Sequence, residues 1–136
     1  MLLRVVLNSN VYISALLFAG IPYKILNLAI KGKIKLIISR EIIEETVKVL
    51  RNKFYWPEHN IDKFIRRISH ICEIVKISQK IDIIKDNVND NNVLECAVNG
   101  KANLIISGDK HLLSLKIFEG IPIRNPKYFT YLIKEM

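Results

Sequence analysis

The sequence predicts an α/β fold in which helices cover a mainly parallel sheet. Short β-branched runs alternate with longer amphipathic stretches, a pattern typical of strand–helix–strand units. The runs at 3–7 and 103–107 are largely apolar, as expected for strands that are buried on both faces. With 136 residues, half of them hydrophobic, the chain is long enough to bury one core without disulfides. We therefore expect one domain that covers 1–136.

The first half of the chain is predicted to contain two strands and four helices. Residues 3–7 form the first strand, and helices follow at about 11–18 and 23–31, separated by the helix-breaking sequence Gly20-Ile21-Pro22. Residues 35–38 form the second strand. Ser39 is suited to cap a helix that extends to about residue 54, and Pro57 prevents its continuation. A fourth helix is expected at about 61–72.

The second half is predicted to add the remaining strands. Residues 73–77 alternate between polar and apolar side chains, which favours a strand. Residues 91–99 predict a short helix that ends at Gly100, and residues 103–107 predict a strongly apolar strand. The last strand is expected at 121–123, followed by a helix that begins at Lys127.

Composition narrows the possible functions. Lys and Arg number 21 against 13 Asp and Glu, giving a net charge of +8, which favours an anionic partner such as nucleic acid. A soluble basic protein is the alternative, because the charges are spread along the chain. The two cysteines, Cys72 and Cys96, exclude a disulfide framework and a four-cysteine zinc site, and we interpret both as core residues. The longest apolar stretch, 11–22, is shorter than the roughly 20 residues of a membrane span. We expect a cytoplasmic protein without a membrane segment.

Polar residues follow the predicted strands at the points where they end. The first strand leads into Asn8-Ser9-Asn10, the second into Ser39, and the strand at 103–107 into Gly108-Asp109. Ligand sites of open parallel sheets lie beyond the carboxyl ends of the strands. We therefore expect several acidic side chains to meet at this edge of the sheet.

Helix geometry distinguishes among the acids. Asp90 lies three and four residues before Val93 and Leu94, at the head of an apolar face, where a carboxylate is costly to bury unless it is paired or metal-bound. A plain N-cap is the alternative for Asp90. Glu95 is predicted to face solvent. Glu45 borders the apolar stripe of the Ser39 helix, a stripe predicted to include Phe54, and its position alone favours an ordinary solvated carboxylate.

Several blocks of sequence, in order, resemble the PIN-domain family. The opening Arg4-Val5-Val6-Leu7-Asn8-Ser9-Asn10-Val11 is similar to the family's apolar strand followed by Asp-Thr-Asn. Residues 39–50 resemble the second block, whose Glu corresponds to Glu45. Residues 87–97 resemble the third block, with its central Asp at Asp90, and 105–113 match the fourth, with its acid at Asp109. Residues 120–129 resemble the family's ending, so the resemblance spans nearly the whole chain.

The resemblance implies a three-layer α/β/α sandwich with a central, mainly parallel sheet, and a Mg²⁺- or Mn²⁺-dependent endoribonuclease activity. It implies that Glu45, Asp90 and Asp109 are catalytic, that Asn8 joins them as a metal ligand, and that Asn10 and Ser107 support the site. Carboxylates suit these ions because hard cations prefer oxygen ligands. Many PIN proteins are toxins neutralised by an antitoxin and many form homodimers, so the resemblance also implies both kinds of partner.

Asn8 departs from the family pattern, because it stands where the first acid is expected. Its oxygen retains the ability to bind a metal but carries no charge, and one unit charge at about 4 Å is worth up to ~4 kcal/mol at an effective dielectric constant near 20. We therefore expect weaker metal binding. Three explanations stay open: a naturally weakened enzyme, a catalytically inactive PIN module that binds RNA or a protein, and a substitution introduced into this chain.

RNA contacts are expected from basic and aromatic residues near the acids, chiefly Lys48, Arg51 and Lys110, with the cluster Phe54-Tyr55-Trp56 offering faces for base stacking. The alternatives are a solvated helix face for the cations and core or dimer packing for the aromatic residues. A dinucleotide-binding domain is disfavoured because no glycine follows the first strand. A phosphoacceptor receiver domain is disfavoured because the acid pair is missing there.

Overall fold

A six-stranded sheet flanked by helices forms the centre of the computed structural model, which describes residues 2–133. The strands are β1 (Arg4–Leu7), β2 (Lys35–Ser39), β3 (Glu73–Val75), β4 (Leu104–Ile106), β5 (Ile117–Phe118) and β6 (Ile121–Arg124). The helices are α1 (Ser9–Leu17), α2 (Ile21–Ile30), α3 (Arg40–Asn52), α4 (Glu58–Ile71), α5 (Asp90–Asn99), α6 (Lys110–Leu113) and α7 (Phe129–Ile133), with a 3₁₀ turn at Pro126–Tyr128.

The sheet has the strand order β3-β2-β1-β4-β6-β5. β1 lies between β2 and β4 and runs parallel to both, with Val6 opposite Ile37 on one side and Ile105 on the other. β3 and β6 extend the parallel sheet, and β5 pairs antiparallel with β6. This arrangement confirms the predicted α/β sandwich with a mainly parallel sheet. β5 was not predicted, because two residues carry no periodic pattern.

The central strands are buried on both faces, as their uniformly apolar sequences predict. Val5, Val6 and Leu7 are inaccessible to solvent and belong to one continuous hydrophobic core. Cys72 and Cys96 are buried free thiols in this core, which confirms their interpretation as core residues. Burial raises the pKa of the Cys72 thiol to about 11 and that of Cys96 to about 12.

Several helix ends differ from the predictions because capping residues set them. The side chain of Asn8 accepts a hydrogen bond from Val11 N and caps α1, so this helix begins at Ser9. Pro22 lies in the first turn of α2, where its missing N–H has no intrahelical role. The prediction that Phe54 belongs to the packed stripe of α3 is wrong, since this helix ends at Asn52 and Phe54 is exposed.

No single helix within residues 2–133 is both long enough and apolar enough to cross a membrane. Helices α1 and α2 satisfy the length and composition criteria only as a pair, and they are bent by 94° at the break between them. Much of this pair is part of the core, with Tyr12 and Ile25 fully buried.

Candidate functional site

The register of the sheet brings the ends of β1 and β4 together. Leu7 pairs with Ile106, so the next residues, Asn8 and Ser107, lie side by side. Asn8 Nδ2 donates a hydrogen bond to Ser107 Oγ at 2.8 Å, and the backbone N–H of Asp109 donates to the same oxygen at 3.0 Å. The buried hydroxyl of Ser107 therefore joins the position of the expected first acid to Asp109.

Asn8 has both ends of its amide engaged. Oδ1 accepts from Val11 N at 3.2 Å, and Nδ2 is bound by Ser107. The side chain is only 4% exposed, so its neutral amide is a fixed part of the site. An amide in this environment provides one oxygen but no negative charge for a cation.

Asp109 is anchored by the helix that follows it. Its Oδ1 accepts hydrogen bonds from the backbone N–H groups of His111 at 2.8 Å and Leu112 at 3.3 Å, which makes Asp109 the N-cap of α6. The charge of Asp109 acts on Asp90 and raises the pKa of that carboxyl. The cap thus fixes the carboxylate of Asp109 near that of Asp90.

Asp90 is a buried carboxylate, only 7% exposed, in the first turn of α5. Its pKa is raised to about 7, first by burial, then by the charge of Asp109 and the hydrogen bond with it, and last by the charge of Glu45. Asp90 Oδ2 is buried and has no hydrogen-bond partner among the described residues. Asn89 occupies the N-cap position of α5, which excludes a plain N-cap role for Asp90.

Glu45 completes the acidic cluster, by which we mean Glu45, Asp90 and Asp109. It is half-buried, and burial raises its pKa, whereas a hydrogen bond from the Ser9 hydroxyl opposes that shift. The solvated carboxylate favoured by the helix pattern alone is therefore not what the fold produces. Asn10, predicted to support the site, is exposed, and Ser9 is the residue that contacts Glu45. Ser9 was missed, although it lies three and four residues before two buried core residues, Tyr12 and Ile13.

The prediction that Glu95 faces solvent is wrong. Glu95 is only 4% exposed, and its Oε2 accepts from Ile81 N at 2.8 Å, while Lys80 Nζ lies 3.9 Å from Oε1. The segment 76–89 folds back over α5 and covers this side chain. The hydrophobic periodicity of a helix does not show whether another segment of the chain packs over its polar face.

Asn91 anchors the same segment just before the acidic cluster. Its Oδ1 accepts from the backbone N–H groups of Ile83 and Ile84, and its Nδ2 donates to the carbonyls of Ile84 and Val88. Because Asn91 directly follows Asp90, these hydrogen bonds fix the chain that delivers Asp90 to the cluster. The sequence analysis did not identify Asn91, although a buried Asn inside an apolar helix face was a signal for it.

The cluster offers the ligands that a hard divalent cation prefers. It has carboxylate oxygens, one of them buried without a donor, and the like charges of Asp90 and Asp109 repel when both are ionised. Across residues 2–133, no three His, Cys, Asp or Glu side chains stand as a ready-made metal-binding group. The neutral amide of Asn8 leaves the set one acid short of the family pattern. The oxygen donors therefore suit a hard divalent cation, with reduced charge.

A cleft of about 520 Å³ opens beside the cluster, and we call it the Tyr55 cleft; its lining residues are Glu45, Lys48, Val49, Asn52, Lys53, Tyr55 and Asn89. Of the predicted RNA-binding residues, Lys48 lines this cleft, and Lys110 is exposed directly after Asp109. Arg51 instead donates two hydrogen bonds to Glu58, at 2.8 and 3.0 Å. The fold thus brings Lys48 to the site and engages Arg51 elsewhere.

Comparison with known families identifies the chain. A family model described as "PIN domain" matches residues 4–111, a region that includes Asn8 and the whole acidic cluster. This chain belongs to the PIN-domain family. PIN domains form a nuclease family whose members generally depend on a divalent metal ion. The family resemblance seen in the sequence is therefore confirmed.

The fold of this PIN domain also agrees with a solved structure. The chain is similar to one in the crystal structure of VapBC2 from Rickettsia felis bound to a DNA fragment from their promoter, with a TM-score of 0.62 and 20% sequence identity. The similarity covers 90% of this chain and 98% of that one. At this identity the likeness concerns the fold. The comparison with curated proteins found no match.

Proposed function

We propose that this PIN domain is a divalent-metal-dependent endoribonuclease that hydrolyses RNA phosphodiester bonds. The observation that carries the proposal is the buried carboxylate of Asp90, which has an oxygen without a hydrogen-bond partner and lies near the partly buried carboxylate of Asp109. Two carboxylates so close together destabilise the fold when both are ionised, because their charges repel and are costly to bury. The same negative charge favours the binding of a cation. The roles of the cluster residues are part of this proposal.

Asp90, Asp109 and Glu45 would hold Mg²⁺ or Mn²⁺, and the side-chain oxygen of Asn8 would join them as a neutral ligand. When bound, the ion supplies an activated water and neutralises charge that develops on the phosphate. The contribution of the chain itself is to fix the positions of these oxygens through hydrogen bonds. Ser107 fixes Asn8 and the backbone of Asp109, and Ser9 orients Glu45.

Proton movement is the second contribution of the chain. Asp90 must lose its proton before it binds a cation, and with its pKa raised to about 7 we expect this loss near neutral pH. Lys48, exposed at the rim beside Glu45, is suited to contact a phosphate of the substrate. Positioning and charge compensation are thus what the chain's side chains provide.

Asn8 makes low activity the expected state of this chain. Its fully hydrogen-bonded amide is stable in the fold, and this favours a second candidate function, a catalytically inactive PIN module that binds RNA or a protein. A role as a toxin that an antitoxin neutralises is compatible with a weakly active nuclease and with a catalytically inactive module. The similarity to a chain of the VapBC2 assembly supports a protein partner of this kind, and a homodimer is compatible with it.

An RNA cleavage assay separates the two candidates. Purified protein is incubated with end-labelled single-stranded RNA and Mn²⁺, alongside Asp90→Ala and Asn8→Asp. We expect weak, chelator-sensitive cleavage that Asp90→Ala abolishes and Asn8→Asp increases. The enzymatic proposal fails if both substitutions leave cleavage and metal binding unchanged.

A further inference from the structure

The turn between α3 and α4 presents an aromatic ring to solvent in an unfavourable backbone conformation. Tyr55 is 84% exposed, and its φ of 53° lies in the left-handed region. This region is costly for a residue with a large side chain and far less so for Gly or Asn. The exposed ring of Tyr55 therefore contributes little packing to stability, and its left-handed backbone conformation costs conformational free energy. Strain of this kind concentrates where a side chain has a role outside the fold.

Contacts on both sides hold this turn in place. Arg51 and Glu58 close it with the two hydrogen bonds described above, and the backbone N–H of Trp56 donates to the carbonyl of Leu50 at 3.0 Å. Trp56 is half-buried against the core. The turn is thus fastened to both helices, and the ring of Tyr55 is presented at a defined position.

Tyr55 lines the same cleft as Glu45 of the acidic cluster. Asn89 also lines the Tyr55 cleft, and it directly precedes Asp90. The lining cations are Lys48 and Lys53, and Nζ of Lys53 rests 5.7 Å from the centre of the Phe54 ring. The cleft therefore combines an aromatic side chain with positive charge, and one candidate metal ligand, Glu45, lines it.

We propose that the Tyr55 cleft is a nucleotide-binding subsite for single-stranded RNA, in which an unpaired base stacks on the Tyr55 ring and Lys48 and Lys53 contact the adjacent phosphates. A cation, an aromatic face and amide groups match the phosphate and the base of one nucleotide. The side-chain amides of Asn52 and Asn89 offer donors and acceptors for the base edge. This inference rests on the proposed function and specifies its substrate as unpaired RNA, because a base within a duplex does not offer its face to a side chain.

Replacing the ring without disturbing the turn tests the subsite. Tyr55→Gly removes the aromatic face and suits the left-handed backbone, so the folded protein is expected to be at least as stable as the wild type. Tyr55→Phe and Tyr55→Trp keep an aromatic face. Tyr23→Ala is the matched control, since Tyr23 is also exposed but lines a separate apolar groove.

Binding is measured apart from cleavage. The full chain is titrated in EDTA against a fluorescent single-stranded RNA of mixed sequence and against the same RNA with one abasic residue placed at successive positions. We expect Tyr55→Gly to weaken binding about ten- to hundredfold, and Tyr55→Phe, Tyr55→Trp and Tyr23→Ala to stay within about threefold of the wild type. For the wild type, one abasic position should cause a similar loss, and Tyr55→Gly should show no further loss with that RNA.

The outcomes separate this inference from the proposed function. If Tyr55→Gly binds RNA as well as the wild type, or if Tyr23→Ala loses as much affinity, the subsite is wrong whether or not the protein cleaves RNA. If the loss on Tyr55→Gly appears but neither the wild type nor Asn8→Asp cleaves RNA with Mn²⁺, the subsite stands and the nuclease proposal fails. Melting temperatures of all variants show that each is folded.

Discussion

Ser107 is the residue through which the end of β1 and the acid of β4 are held together. Its Oγ accepts hydrogen bonds from Asn8 Nδ2 and from the backbone of Asp109, which leaves its own hydrogen free. A carboxylate at position 8 would accept a hydrogen bond from the Ser107 hydroxyl. It would also still cap α1, since Asp and Asn are comparable N-caps. The site is therefore built so that a single substitution can add the missing charge.

Asn8→Asp is expected to strengthen Mn²⁺ binding by about tenfold or more, because a unit charge near the ion is worth up to ~4 kcal/mol before solvation offsets it. Isothermal titration with Mn²⁺ measures the change. Asn125→Asp is the matched control, since Asn125 also caps a turn by accepting from Tyr128 N but lies outside the acidic cluster. Equal Mn²⁺ affinity of wild type and Asn8→Asp would contradict the assignment of position 8 to the metal site.

The raised pKa of Asp90 predicts how the metal-free protein responds to pH. In the folded state the pKa of Asp90 is about 7, whereas the ordinary pKa of an aspartate side chain is 3.8. The native state thus binds more protons between about pH 4 and 7, and the stabilisation is present at low pH and lost as pH rises through about 7. Asp90→Asn should remove this dependence and be more stable than the wild type at pH 8.

Denaturant unfolding in EDTA at several pH values measures this difference. The wild type is compared with Asp90→Asn at each pH, so that the titration of other carboxylates cancels. Added Mn²⁺ should stabilise the wild type more at pH 8 than at pH 6, because protons compete for the same oxygens. A constant difference between the two proteins from pH 5 to 8 would show that the carboxyl pKa is not raised in the fold.

At the scale of elements, α5 shows what a helical pattern predicts and what it leaves open. Its apolar face was predicted and includes the buried residues Val93, Leu94 and Ala97. The polar residues Asn91 and Glu95 are buried as well, because the segment 76–89 covers them and forms hydrogen bonds with them. The helix thus serves both as a core element and as an anchor for the loop that leads to Asp90.

Asn91→Ala is expected to destabilise the protein by about 2 kcal/mol, since four hydrogen bonds to the backbone of this loop are lost and buried groups among them become unsatisfied. Mn²⁺ affinity should fall with it, because the chain before Asp90 loses its anchor. Denaturant unfolding and titration measure both effects. Asn92→Ala, on the same helix but less buried, should change stability by less than about 0.5 kcal/mol. An unaltered Mn²⁺ affinity in Asn91→Ala would mean that the loop does not position Asp90.

At the scale of the whole molecule, the net charge of +8 coexists with an acidic cluster in which Asp90 is buried and Glu45 and Asp109 are partly buried. The acids occupy one edge of the sheet, and Lys48 and Lys53 line the cleft beside them. A polyanion is attracted by the overall charge, but contacts near the site depend on these particular cations. Net charge alone therefore predicts the class of binding partner, but it does not show where on the surface that partner binds.

Salt dependence tests where the charge acts. Each phosphate contact to single-stranded RNA contributes about 0.7 to the slope of log K against log salt concentration. Lys48→Gln is expected to reduce the slope by about that amount. Lys31→Gln serves as the control, because Lys31 is equally exposed but caps α2 and does not line the Tyr55 cleft. Identical slopes for the two variants would place the RNA elsewhere on the surface.

The sequence by itself determined five of the six strands, the parallel sheet, the buried cysteines and the order of the acidic blocks. These follow from local hydrophobic patterns and from residue types at strand ends, which are properties of neighbouring positions. Only the tertiary structure decided that Glu95 is covered, that Ser9 holds Glu45, and that Tyr55 stands exposed beside Asn89. Each of these depends on segments distant in the chain meeting in space, and such contacts leave no periodic trace in the sequence.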